Sequence, residues 1–188
     1  DSLFLSHGMA GGFFTSLAIG YSLTLFAAGH LASALGYKKT LVIGFIGIGL
    51  ILLCFQWAEG YSTFHILFFL LGMAAGTYIP TILPILTETY EHRNWGKAIG
   101  LHDSAASFSI FSIPILMAYG LQFFPWKRLL LILGLASLTL PILFWKVSIE
   151  PKKGFSQEGR HYGGLLRRKS IWIMAFLWIL SSASNMGV

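Results

Sequence analysis

Charge is scarce in this chain: Asp, Glu, Lys and Arg supply 11% of its 188 residues, against about 25% in an ordinary soluble domain. So few charges cannot clothe a water-facing surface, and most of what the fold exposes must meet lipid. Acids are scarcer than bases, 7 against 13. In a soluble protein that excess would point to nucleic acid. Here the bases fall in short stretches between apolar runs, no basic face is left over, and nucleic-acid binding is excluded. Cysteine is nearly absent. Cys54 alone cannot form a disulfide framework, and its place in an apolar run gives it the role of a small packing side chain. The six histidines show no H-x-x-x-H or Cys/His spacing, so no metal centre, haem or other cofactor is expected. No paired catalytic groups share one depth, which argues against an enzyme.

What the chain has in abundance is hydrophobic length. Its residues are 55% hydrophobic and 15% aromatic, with a mean hydropathy of +0.71. Six apolar segments, 12–31, 41–57, 64–86, 98–121, 129–145 and 171–188, come near the ~20 residues of helix that a bilayer core requires. Asp103 is the sole Asp, Glu, Lys or Arg inside any of them. The expected fold is therefore an all-α, polytopic helical bundle in a cell membrane. Orientation follows from the loops. Lys38, Lys39, Arg93, Lys97, Lys146 and six bases of the 147–170 stretch lie on one side, while Lys127 and Arg128 lie on the other. Eleven bases against two place the first group, including the loops at Lys38, Arg93 and 147–170, in the cytoplasm.

The charged, glycine-containing stretch 147–170 is the one candidate domain boundary. It separates 1–146, five helices of a bundle, from 171–188, the first helix of another. A short echo supports an inverted repeat: Tyr37-Lys38-Lys39 precedes one span, and Trp126-Lys127-Arg128 precedes another on the opposite face. The chain opens on Asp1 and stops at Val188 inside an apolar run, so a fragment is expected.

Two motif regions are specific. The stretch 29–39 reads as a tight basic hairpin between membrane helices, with Gly29 and Gly36 permitting close approach and unusual dihedrals and Lys38 and Lys39 holding the positive side. Further on, Gly72-x-x-x-Gly76-x-Tyr78-x-Pro80 precedes Glu88, Arg93 and Gly96-Lys97-Ala98-x-Gly100. The first resembles the loop signature of the major facilitator superfamily, G-x-L-A-D-R-x-G-R-K, matched here at Gly29, Leu31, Ala32, Gly36 and Lys38. The second is similar to that family's fourth helix, the following loop and the start of its fifth. The resemblance maps the chain onto the family's second through seventh helices. It implies a twelve-helix, two-bundle secondary transporter that moves a small solute by alternating access, with Gly29, Leu31, Gly36, Lys38, Lys39, Glu88 and Arg93 in a cytoplasmic gate.

Departures from the pattern bear on mechanism. Ser33 and Ala34 replace the signature's acid and base, which weakens its charge relay and supports an alternative, a non-transporting receptor or assembly protein of the same fold. Glu88 matches the retained acid, either as a partner of Lys38 or Arg93 or as a solvated charge. Phe68 stands where proton-linked members often carry an arginine, and Ile113 before Pro114 replaces the glycine of an antiporter signature. Gly72 and Gly76 share a helix face and suit close helix packing, while Pro80 and Pro114 remove backbone donors and bend helices. Candidates for substrate or a coupling ion are the polar groups at membrane depth: Asp103, Ser107, Tyr21, Thr77, Thr81 and Asn185. Serine, threonine and tyrosine can also bond to nearby backbone, and Asp103 can cap backbone donors or pair with Lys38.

The orientation predicts a labelling pattern. In a Cys54-free background, single cysteines at Tyr37 and Gln157 are shielded from an impermeant thiol reagent outside intact cells, whereas one at Ser62 reacts. The opposite pattern reverses the orientation.

Overall fold

The computed structural model describes residues 7–148 and, beyond them, Lys169, Ser170, Trp172, Ile173 and Phe176. Two compact units, Asp1–Gly154 and Phe155–Val188, divide the chain. The five described residues of the second are helical; the rest of the expected 171–188 span, Asn185 included, lies outside the described residues. The first unit holds α1 (His7–Leu35), α2 (Tyr37–Cys54), α3 (Tyr61–Ala75), α4 (Tyr78–Thr89), α5 (Trp95–Gly120) and α6 (Trp126–Val147), with no strand among the described residues. Five stretches are long and apolar enough to cross a membrane: Gly8–Leu35, Tyr37–Trp57, Tyr61–Thr89, His92–Gly120 and Trp126–Val147. The fold is an all-α membrane fold.

The hairpin at 29–39 is shorter than expected. α1 continues through Gly29, Leu31 and Ser33 to Leu35, and the chain reverses at Gly36 alone, with φ 88° and ψ 154°. That positive φ is the one place in the stretch where glycine's freedom is used; Gly29 is helical. Local bonds close the corner: Gly36 N–H donates to Ala32 O at 2.8 Å, and Thr40 Oγ1 donates to Gly36 O at 2.8 Å.

The expected 64–86 span is two helices, because the α3 ladder stops at Gly76 and restarts at Tyr78. Pro80 has no N–H to offer the Gly76 carbonyl four residues earlier, so a continuous helix would lose a bond there. Thr77 stabilises the break by donating its hydroxyl to Ala74 O at 2.8 Å. Thr81 does the same below it, donating to Thr77 O at 2.7 Å and Tyr78 O at 2.9 Å. By contrast α5 runs unbroken through Pro114.

Packing is dominated by two helix pairs, α1 on α3 and α2 on α6, with α2 also touching α4; α5 lies at the edge of the unit against α4 and has no buried residue. Without a hydrophobic drive between helices in lipid, close approach must supply the attraction. A Cβ at Gly20 would overlap the Phe69 carbonyl, one at Gly72 would overlap the Leu17 carbonyl, and one at Gly76 would sit 2.6 Å from Tyr21 O. The α1 side of this contact repeats every four residues, as Gly12, Ser16, Gly20 and Thr24, all buried or half-buried, and the same face continues through Ala28 to Ala32, which packs against α2 and α4. α2 and α6 meet in the same way at Gly49 and Gly134, where a Cβ on Gly134 would lie 3.1 Å from Gly49 O.

Two hydrophobic clusters flank this contact. At the Ser62 end, Phe13, Phe55, Ala58, Phe64 and Leu67 form one, and the half-buried Phe68 stacks on Phe13 at 5.4 Å. At the Lys38 end, Ala32, Tyr37, Leu41, Ile82 and Ile85 form the other. Cys54 is exposed at the end of α2, not packed as expected, because the chain tightens there into the Phe55–Trp57 turn and buries Phe55 instead.

The glycine contacts give a paired prediction. Gly72→Ala drives a methyl into the α1 backbone and lowers the stability of the full-length protein by about 1–3 kcal/mol. Gly100→Ala meets nothing within 4 Å and leaves stability unchanged or raised by up to ~1 kcal/mol through helix propensity. Thermal unfolding in detergent measures both, and equal effects would contradict the backbone contact.

Candidate functional site

Between the two hydrophobic clusters, where small side chains leave space, a cavity of about 520 Å³ opens among α1 to α5. Gly44, Ala74 and Ala75 contribute almost no volume to its wall, and the α3–α4 break places Thr77 and Tyr78 at its edge rather than on a continuous helix face. Phe45 packs edge-on against Tyr78 at 5.9 Å and supplies apolar lining. From α1 comes Tyr21, and from α5 come His102 and Asp103. Asp103 lies eight residues past Trp95, about 12 Å along the helix, in the first half of α5, while Tyr21 lies at the middle of α1.

The polar centre is a chain of three side chains. Asp103 Oδ1 lies 3.0 Å from His102 Nδ1, and His102 Nε2 lies 2.8 Å from the Tyr78 hydroxyl. The Tyr78 and His102 rings also stack at 5.6 Å. An ionised carboxylate only accepts, so Nδ1 carries the hydrogen that faces Asp103. In the neutral ring Nε2 then accepts from Tyr78 O–H; in the protonated ring it donates to Tyr78 O. Both bonds survive either state, and a proton can be gained or lost at Nε2 without moving a heavy atom. The His102 side chain is 15% exposed and that of Asp103 69%, so the imidazole is shielded while the carboxylate opens outward.

Of the sequence candidates, Tyr21, Thr77 and Asp103 line the cavity. The Thr77 and Thr81 hydroxyls donate to backbone carbonyls, and Ser107, exposed on α5, donates to Asp103 O at 3.1 Å. Gly72 and Gly76 face α1 rather than the cavity. His102 and Tyr78 join Tyr21, Thr77 and Asp103 in the wall, although neither is a site candidate by sequence. Two signals were present: a histidine beside the one intraspan acid, and a tyrosine between a Gly-x-x-x-Gly pair and a proline.

The residues expected to form a gate are arranged differently from the expected pairings. Lys38 donates from Nζ to Ser148 O at 2.5 Å and stands over the Trp145 ring at 4.8 Å. Arg93 pairs with Glu91 at 2.8 Å, both largely exposed, and Asp103 bonds to His102 rather than Lys38. The reason is reach: Lys38 lies at the start of α2 beside the end of α6, whose last carbonyls lack helical partners and attract a cation. Glu88 is exposed in the last turn of α4, and Lys39 is exposed beside Lys38. At the opposite membrane face the arrangement recurs with the helices exchanged. Lys127, second residue of α6, donates to Gln56 O at 2.9 Å just past the end of α2, and Gln56 Nε2 returns a bond to Lys127 O at 2.6 Å. No group of three or more His, Cys, Asp or Glu side chains suited to a metal ion occurs among the described residues.

Comparison with known proteins gives concordant results. The chain is 29% identical over 142 residues to a gallate transporter of Pseudomonas putida, covering 75% of this chain and 32% of that protein. It is 30% identical over 96 residues to a quinolone resistance transporter of Acinetobacter baumannii, covering 51% of this chain and 21% of that protein. It is 23% identical over 153 residues to an uncharacterized transporter of Bacillus subtilis (strain 168), covering 81% and 35% respectively. The chain thus spans about a third or less of the length of these relatives. The family model of the Major Facilitator Superfamily matches residues 1–188, and with its five apolar spans the chain is a multi-pass membrane protein that belongs to the Major Facilitator Superfamily.

Proposed function

We propose that the whole protein is a secondary transporter that moves a small solute across the cell membrane by alternating access. Residues 1–146 form most of one bundle, 147–170 a cytoplasmic linker, and 171–188 the first helix of a second bundle. The observation that carries this reading is the cavity: polar groups from three separate helical elements converge at membrane depth on a space of about 520 Å³, within the ~300–1,000 Å³ range of ligand pockets. Ionisable groups at such depth are costly to bury and mark paths for solute or ion. The apolar clusters at Phe13 and Leu41 lie on either side of the cavity and suit it to occlusion. No reaction is proposed; the groups suit binding and proton exchange, not bond cleavage.

Two relatives carry gallate and quinolone in their names, so these are the first probes. The full-length protein reconstituted in vesicles accumulates at least one small solute from such a panel and exchanges it across the membrane. A folded protein that binds a solute yet neither accumulates nor exchanges it would support the receptor reading instead, which the Ser33 and Ala34 replacements favour.

Within this reading the Asp103–His102–Tyr78 chain is the site of ion coupling, and Asp103 is the group whose charge matters. Asp103→Asn keeps an acceptor for His102 Nδ1–H but removes the charge. Concentrative uptake falls by at least ~10-fold, which corresponds to about 1.4 kcal/mol, while solute exchange at equal concentrations persists. If both modes slow together, Asp103 belongs to the gate and not to coupling.

A further inference from the structure

A second cavity, of about 450 Å³, lies in the seam between α2 and α6 on the Lys38 side of the Gly49–Gly134 contact. Val42 and Ile46 form one wall, and Leu138, Pro141 and Ile142 form the other. It is far from closed: Ile46 and Ile142 are 39% and 61% exposed, and it shares no lining residue with the polar cavity. Its walls offer a guest almost nothing but carbon. The end nearest the cytoplasmic loops is different, because Trp145 and Lys146 close it and the Lys38 ammonium stands over the Trp145 ring at 4.8 Å. Lys38 spends one N–H on Ser148 O and has three. One end of an apolar slot thus carries an indole and a lysine in its wall, with a second lysine against the indole.

We propose that this groove binds one anionic phospholipid, with an acyl chain along Ile46 and Ile142 and its phosphate on Lys38 and Lys146. The pattern of charge decides the occupant. An uncharged hydrocarbon would gain nothing from the cations, and a zwitterionic lipid brings an ammonium of its own to oppose them. Basic pockets between membrane helices on the cytoplasmic side suit anionic headgroups, and each nearby lysine contributes about 1 kcal/mol. Trp145 adds an interface anchor at headgroup level.

The test uses the full-length protein in mixed phosphatidylglycerol and phosphatidylcholine nanodiscs, with retained lipid counted by native mass spectrometry after delipidation. The protein retains about one phosphatidylglycerol in preference to phosphatidylcholine. Lys146→Gln weakens that retention about fivefold, as expected for one lysine. Ile142→Trp, which fills the groove and keeps both lysines, abolishes it, and Val42→Phe repeats the block from the opposite wall. Inorganic phosphate at millimolar concentration does not displace the lipid, since phosphate alone lacks the chain. Equal retention of the two lipids, no effect of Lys146→Gln, retention undiminished in both groove-filling variants, or displacement by free phosphate would each overturn the proposal.

Discussion

Everything in this unit depends on how closely the backbone of α1 approaches that of α3. At Gly20, Gly72 and Gly76 no methyl group fits between them, and the small-residue ladder from Gly12 to Ala32 carries the same face along most of α1. In lipid, where apolar side chains gain little by leaving the solvent, such close packing is what makes two helices one body. The consequence reaches the cavity. With α1 drawn onto α3, Tyr21 is brought beside the α3–α4 break, and the volume that glycines and alanines fail to fill becomes the space that Thr77, Tyr78, His102 and Asp103 border.

The second organising feature is reciprocity between α2 and α6. Each has a lysine as its second residue, each lysine reaches a carbonyl at the far end of the other helix, and the two cross where Gly49 and Gly134 touch. A cation at a helix C-terminus is stabilised by the unpaired carbonyls there, and antiparallel neighbours allow each helix to serve the other. The sequence echo of Tyr37-Lys38-Lys39 and Trp126-Lys127-Arg128 has this physical counterpart, the arrangement that an inverted repeat would produce.

Much of the helical architecture was legible because lipid imposes a simple rule on composition. Runs with no charge but Asp103 marked the five described spans, and Gly72 and Gly76 announced a close packing face. The ends of elements were less legible. Gly29 reads as a turn residue in isolation, yet it continues α1, since only Gly36 needs a positive φ. Lys38 took a partner set by distance across the fold, Ser148, which no local pattern encodes, while Arg93 took Glu91, two residues away in the sequence. His102 and Asp103 are neighbours in the sequence, and adjacent residues on a helix do not ordinarily face one another; the Tyr78 partner, 24 residues away, is brought to His102 by tertiary packing. The i+4 ladder of small residues in α1 was visible in the sequence and would have paired that helix with Gly72 and Gly76.

The central claim is that α1 and α3 form one body that persists while the protein works. Ser16 Oγ and His65 Nδ1 lie 2.5 Å apart across this interface, so cysteines at both positions, in a Cys54-free background, can be bridged by a short bifunctional thiol reagent. Solute exchange in vesicles, compared before and after bridging in the same Ser16→Cys, His65→Cys protein, tests the claim directly. The bridged protein exchanges solute as fast as the unbridged one; exchange lost on bridging and restored by a cleavable linker would show that α1 and α3 must separate.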